Sequence, residues 1–284
     1  MPETTATPDS PFVSTEWLAA NLGAPDLVVV DASWHMPGTG RSGATEYLEQ
    51  HVPGAVHFDI DAIADRASPL PHMLPDAHSF AVAMGAMGIG DGLRIVVYDS
   101  VGLFSAPRVW WTFRAFGATD VKLLDGGLPK WLAEERPVED GPVQRRPAVF
   151  NPRFDHSLVA DLERVDRALA SGSAQVLDAR QEARFRGEMP EPRPGLPSGH
   201  MPGAFNLPHG HLVADGRLLP VEEIRKVVAA SGLDLSRPVI TSCGSGVSAA
   251  ILWVALEMIG KTPLALYDGS WTEWGASGKE IVTG

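Results

Sequence analysis

The 284 residues suffice for one large domain or two ordinary ones, and 44% hydrophobic with 20% charged is the balance of a well-cored globular protein. With 35 acidic against 23 basic residues, the net charge of -12 argues against nucleic acid or an anionic membrane surface as partner. One cysteine excludes an intrachain disulfide framework and a cysteine-rich metal site, and the nine histidines lack any His-Glu-x-x-His type of ligand spacing. Met1 to Pro11 is polar and proline-bearing, without a basic or apolar signal segment, and no apolar run is long enough to cross a bilayer. A cytoplasmic enzyme is the expectation.

Regular patterning begins at Phe12. Ser14 or Thr15 caps a helix over Glu16 to Leu22 that closes at Gly23. Leu27 to Ala32 reads as a buried strand, Ala44 to His51 as an acidic helix, and Val52 to Phe58 as a turn into a short strand. A helix around Ser79 to Gly85 precedes the strand Arg94 to Asp99. Pro107 to Phe116 is an aromatic-rich helix, Val121 to Leu124 a strand, and Asp125-Gly126-Gly127 a turn.

The second half repeats the first. Gln175 to Arg180 echoes Val28 to Ser33, and Gly199 to Ala204 echoes His51 to Ala55. Val239 to Ala249 echoes Val96 to Ala106, and Leu266 to Ser270 with Trp274 echoes Leu124 to Gly127 with Trp131. Two copies of one α/β domain explain this most economically, each a largely parallel sheet covered by helices on both faces. The division expected is residues 12–138, a Pro- and charge-rich linker at 139–156, and residues 157–284.

The repeat is unequal at one place. Cys243-Gly244-Ser245-Gly246-Val247-Ser248-Ala249 follows an apolar strand, Pro238 to Ser242, and precedes a buried helix ending before Gly260. A strand-loop-helix of small residues can turn its backbone N–H groups inward around an anion, which favours a thiolate at Cys243. The other assignment for a lone thiol is a small apolar core residue. Cysteine phosphatases place an Arg six residues after the Cys, where this chain has Ala249, and Gly244 to Ser248 are all uncharged, so a phosphatase is disfavoured. Copy one has Asp99 in place of the cysteine and serves as scaffold and pocket wall, with the living site expected where the two copies meet.

These residues resemble the tandem rhodanese-domain sulfurtransferases over nearly the whole chain, from about Val13 to Trp274. The resemblance is carried by the two-copy layout and the Cys-Gly-Ser-Gly-Val loop. It extends to Asp178-Ala179-Arg180, Arg184-Phe185-x-Gly187, Pro190-Glu191-Pro192-Arg193, Gly199-His200-x-Pro202-Gly203-Ala204 and His72-Met73-Leu74-Pro75. Ser105 to Trp111 and Leu124 to Gly127 also fit. The family loop usually ends in Thr where this chain has Ser248, which keeps the hydroxyl and loses a methyl.

The resemblance implies two tandem rhodanese-like domains and ping-pong sulfur transfer through a persulfide on Cys243, without a cofactor or metal. Relatives that prefer thiosulfate carry basic residues directly after the cysteine. Gly244 and Ser245 stand there instead, which points to 3-mercaptopyruvate as donor. A thiol, a thioredoxin-like protein or cyanide is then the acceptor, and pyruvate is released.

The family assigns the donor's carboxylate to the positions of Arg184 and Arg193, the remaining option being a solvated loop face. Arg180 and Arg186 are expected in structural ion pairs or in solvent. An Asp-His-Ser relay falls on Asp61, His72 and Ser245, where His72 could instead merely cap a loop. A thiosulfate sulfurtransferase and a persulfide carrier that does not turn over are the rival functions.

Overall fold

The computed structural model describes residues 10–284, so most of the polar start read from Met1 to Pro11 lies outside the described residues. The chain divides into two compact units. One holds the chain up to Ile63 with Asp76–Phe154 and Asp215–Arg217; the other holds Ala64–Pro75, Asp155–Ala214 and Leu218–Gly284.

The sheet of the first unit is five parallel strands in the spatial order Phe12–Val13, Val121–Leu124, Arg94–Tyr98, Leu27–Asp31, Val56–His57. Its central strands are apolar on both faces because both are covered. Leu27 and Val29 join Val96, Tyr98, Leu124, Leu128 and Trp131 in one cluster, while Val28 and Val30 alternate to the other face. Burying each such side chain contributes about 1.5–3 kcal/mol. Ser14 is the cap of helix Thr15–Asn21, its hydroxyl accepting the Trp17 N–H at 3.1 Å.

Gly127–Ala133 is a helix where the sequence suggests only a turn. Pro129 lies in its first turn, where a missing N–H costs nothing. Residues 139–154 form no regular helix or strand but are strapped to this unit. The Ala148 N–H donates to Gly85 O at 3.0 Å, and Phe150 packs edge-on to Phe80 at 5.4 Å between ring centres.

The second unit repeats the plan: Val159–Ala160, Ala265–Tyr267, Val239–Ser242, Gln175–Asp178, Phe205–Asn206, again all parallel. Helix Ala249–Met258 is buried all round from Ala249 to Leu256, as its unbroken apolar sequence requires. Residues 64–75 belong to this unit although they precede most of the first. The Asp65 N–H donates to Met73 O at 2.9 Å, closing them into a loop, and the Leu74 N–H donates to the Asp268 carboxylate at 2.8 Å. Strand register fixes the equivalence of the halves. Tyr98 pairs with Asp31 as Ser242 pairs with Asp178, so Asp99 and Cys243 are the same position, at the carboxyl end of a central strand where ligands of parallel sheets sit. Among the described residues no helix is long and apolar enough to cross a membrane.

Candidate active site

Cys243 leaves strand Val239–Ser242 and is almost wholly buried, 2% exposed, at the mouth of a loop whose Ser245 and Val247 are also buried. The turn is completed by Gly246 at φ 77°, a left-handed conformation that a side chain would strain. The loop's outer carbonyls are tied to the helix Ser270–Trp274. Trp271 N–H donates to Cys243 O at 2.9 Å, Thr272 N–H to Gly244 O at 2.9 Å, and Thr272 Oγ1 to the same oxygen at 2.7 Å. The N–H of Cys243 itself donates to Ser270 Oγ at 3.2 Å.

The equivalent loop of the first unit shows what such a turn holds. The Asp99 carboxylate accepts five backbone N–H groups: Val101 and Gly102 on Oδ1 at 2.9 and 2.8 Å, and Phe104, Ser105 and Ala106 on Oδ2 at 2.7–2.9 Å. The matching amides of the second unit are those of Ser245, Gly246, Ser248, Ala249 and Ala250. Ala250 donates to Val247 O at 3.2 Å, whereas those of Ser245, Ser248 and Ala249 meet no protein acceptor among the described residues. By the equivalence of the two loops these donors correspond to those that hold the Asp99 carboxylate, a disposition suited to a sulfur anion at Cys243.

His72 is brought to this loop. Its Nδ1 lies 3.1 Å from Ser245 Oγ and 3.3 Å from Ser245 O, both side chains buried. A carbonyl only accepts, so contact with Ser245 O uses protonated Nδ1, while the hydroxyl serves either tautomer. The His72 backbone is at φ 62°, left-handed for a residue with a side chain, a strained conformation held by the closed loop 64–75. Asp61 lies in the first unit, where its Oδ2 accepts the Trp34 indole N–H at 2.9 Å.

Of the four arginines, Arg184 approaches the loop: a Cβ placed on Gly244 would lie 3.3 Å from its Nη2. Glu191, a residue the sequence did not single out, fixes that guanidinium. Its Oε1 accepts from Arg184 Nε at 3.3 Å and its Oε2 from Arg184 Nη2, while Arg180 Nη1 donates to Oε1 at 2.8 Å. Arg180 is buried, forks onto Asp178 through Nε at 2.9 Å and lies 4.1 Å over the Trp271 ring. It is a structural ion pair. Arg186 pairs with Glu182 on the surface at 2.6 Å. Arg193 is part-buried in the loop beyond Glu191. Beside Arg184 lies a second group absent from the sequence expectations, His209. Burial, and then the Arg184 charge, push the pKa of its imidazole below the usual range. Ser270 and Thr272 were also missed, because small polar residues after Asp-Gly read only as a turn.

Residues 14–134 and 161–277 each match the model of the rhodanese-like domain. The chain belongs to the rhodanese family, with two copies of its domain in tandem. Within that family it is similar to 3-mercaptopyruvate sulfurtransferase of Escherichia coli K12, 44% identical over 93% of this chain and 95% of that protein. It is as similar, at 44% identity, to the human 3-mercaptopyruvate sulfurtransferase and to bovine thiosulfate sulfurtransferase, each match covering 93% of this chain and 91% of the relative. The crystal structure of the E. coli 3-mercaptopyruvate sulfotransferase SseA superposes with a TM-score of 0.85 at 42% identity, covering 92% of this chain and 99% of that one.

Proposed function

We propose that this enzyme takes the sulfur of 3-mercaptopyruvate onto Cys243 and passes it to a thiol. The observation that carries the proposal is the place of Cys243, at the strand end whose equivalent loop in the first unit turns five backbone N–H groups onto a carboxylate. The Cys243 thiolate attacks the donor sulfur, a sulfur–sulfur bond forms, and the carbon–sulfur bond breaks with its electron pair passing to the carbon as the enolate of pyruvate. The proton from the donor thiol ends on that carbon, and the persulfide anion stays in the amide ring.

His72 and Ser245 stand in contact to relay that proton, with Asp61 as the third member by family position. Arg184, held by Glu191, grips the donor's carboxylate and Arg193 is its second cation. Support for this donor over thiosulfate comes from Gly244 and Ser245, which put no basic side chain directly after the cysteine, with Arg184 Nη2 lying 3.3 Å from where a Cβ at Gly244 would stand. A small thiol or a thioredoxin-like protein then attacks the outer sulfur. The reducing conditions that keep a lone catalytic thiol free favour the cytoplasm as its compartment.

Mass spectrometry of the protein after addition of 3-mercaptopyruvate tests this. One added sulfur atom mapped to Cys243, with release of pyruvate, is the expected result, and a kcat/KM higher for thiosulfate than for 3-mercaptopyruvate would reverse the choice of donor.

A further inference from the structure

We propose that Thr272, seconded by Ser270, is the positioning residue that turns the loop amides toward Cys243; this rests on the persulfide assignment above. In a trans peptide the C=O and N–H point in opposite directions, so fixing a carbonyl outward aims the next residue's N–H inward. Gly244 O accepts both the Thr272 N–H at 2.9 Å and the Thr272 hydroxyl at 2.7 Å, which occupies both of its lone pairs. The Ser245 N–H is thereby directed away from Thr272. Trp271, through Cys243 O, does the same for the Gly244 N–H. Ser270 ties down the Cys243 N–H by accepting it at 3.2 Å, and its own hydroxyl donates to Tyr267 O at 2.7 Å.

The first unit supplies the control. The Leu128 N–H donates to Asp99 O at 3.1 Å, as Trp271 does to Cys243 O, so the backbone staple is common to both copies. At the places of Ser270 and Thr272, however, it has Gly127 and Pro129, which between them offer no hydroxyl, and Pro129 has no N–H. That loop is organised from inside by the Asp99 carboxylate. The catalytic loop has no carboxylate to close on and is organised from outside. Ser270 adopts φ 51°, beside 53° at Gly127, so a strained side chain is retained where glycine would sit more easily.

The test compares Thr272→Val, which keeps size and backbone N–H but loses the hydroxyl, with Thr272→Ser, which restores it. The rate of Cys243 alkylation by iodoacetamide is followed against pH, together with kcat and KM for 3-mercaptopyruvate. Thr272→Val is expected to raise the midpoint of the alkylation profile and to lower kcat roughly five- to tenfold, the worth of one hydrogen bond, with KM nearly unchanged. Thr272→Ser should return both to the parent values. An unshifted midpoint and kcat in Thr272→Val, or equal deficits in the two variants, would overturn the proposal. Should Thr272→Val not fold, Thr272→Ala is read the same way against Thr272→Ser, since it too keeps the backbone N–H and loses the hydroxyl. Parent protein that forms no persulfide would instead refute the sulfur-transfer assignment, while the alkylation profile would still decide the clamp.

Discussion

The loops after Tyr98 and Ser242 have the same turn at the same strand end, yet one closes on a carboxylate and the other on a thiol. Inward-facing amides are costly unless something accepts from them. The first unit meets that demand permanently with Asp99, and its loop is satisfied and chemically inert. The second leaves the donors to a sulfur that comes and goes, and must shape its turn with Thr272 and Ser270. Stability and reactivity are exchanged at a single side chain.

Making the loops alike is the strongest way to break the comparison. Cys243→Ser should reduce persulfide formation and pyruvate release to background, because a serine hydroxyl does not ionise near neutrality. Cys243→Asp should be equally inactive but melt at a higher temperature than Cys243→Ser by scanning calorimetry, because its carboxylate can take the donors that Asp99 takes. Conversely, Asp99→Ala strands five backbone N–H groups, those of Gly102, Ser105 and Ala106 in buried bonds, and should cost at least about 3 kcal/mol in urea denaturation, with a loss under about 1 kcal/mol meaning that the carboxylate does not organise its loop.

At the catalytic side, His72→Asn retains a residue that tolerates the left-handed backbone. It should lower kcat about a hundredfold, measured by pyruvate release, if the imidazole moves the proton. Removing the proposed handle of the donor in Arg184→Ala should lower kcat/KM by about 10–150-fold, equivalent to about 1.5–3 kcal/mol. Glu191→Gln, which loosens Arg184 without removing it, should have a smaller effect of the same kind.

The smallest effect expected is a difference in acid response. Burial raises the Glu46 pKa, but hydrogen bonds from Arg41, His35 and Ser100 outweigh it and bring it from 4.5 to about 2. Its folded pKa therefore lies below the unfolded one, so its contribution is full above pH 4.5 and is lost as pH falls toward 2. Ser100 adjoins Asp99, so acid should loosen the first loop, and Glu46→Gln should flatten the fall of Tm over that range. The hydroxyl and amide staples of the catalytic loop do not titrate there.

Much of this was legible in the residues. Buried strands announced themselves as β-branched runs, and the alignment of Asp99 with Cys243 followed from the repeat. The buried Arg180 pair and the solvated Arg186 also matched their expected structural roles. What could not be read depends on which way a side chain or peptide faces. Nothing in the sequence of Asp99 says that its carboxylate curls back over its own loop. Glu191 looked like one acid among several until two guanidiniums met it. Residues 64–75 lie in the chain between strands of the first unit yet fold with the second, because Leu74 and His72 find their partners there.

Trp271 has a consequence beyond packing. Its backbone N–H holds the Cys243 carbonyl, its ring lies beneath the Arg180 guanidinium at 4.1 Å, and its indole N–H donates to Pro197 O at 3.0 Å. One residue is thus joined to both the Cys243 turn and the Arg180–Glu191–Arg184 network proposed to receive the donor. Its emission should change when either is occupied, giving the protein an intrinsic optical gauge of its own loading.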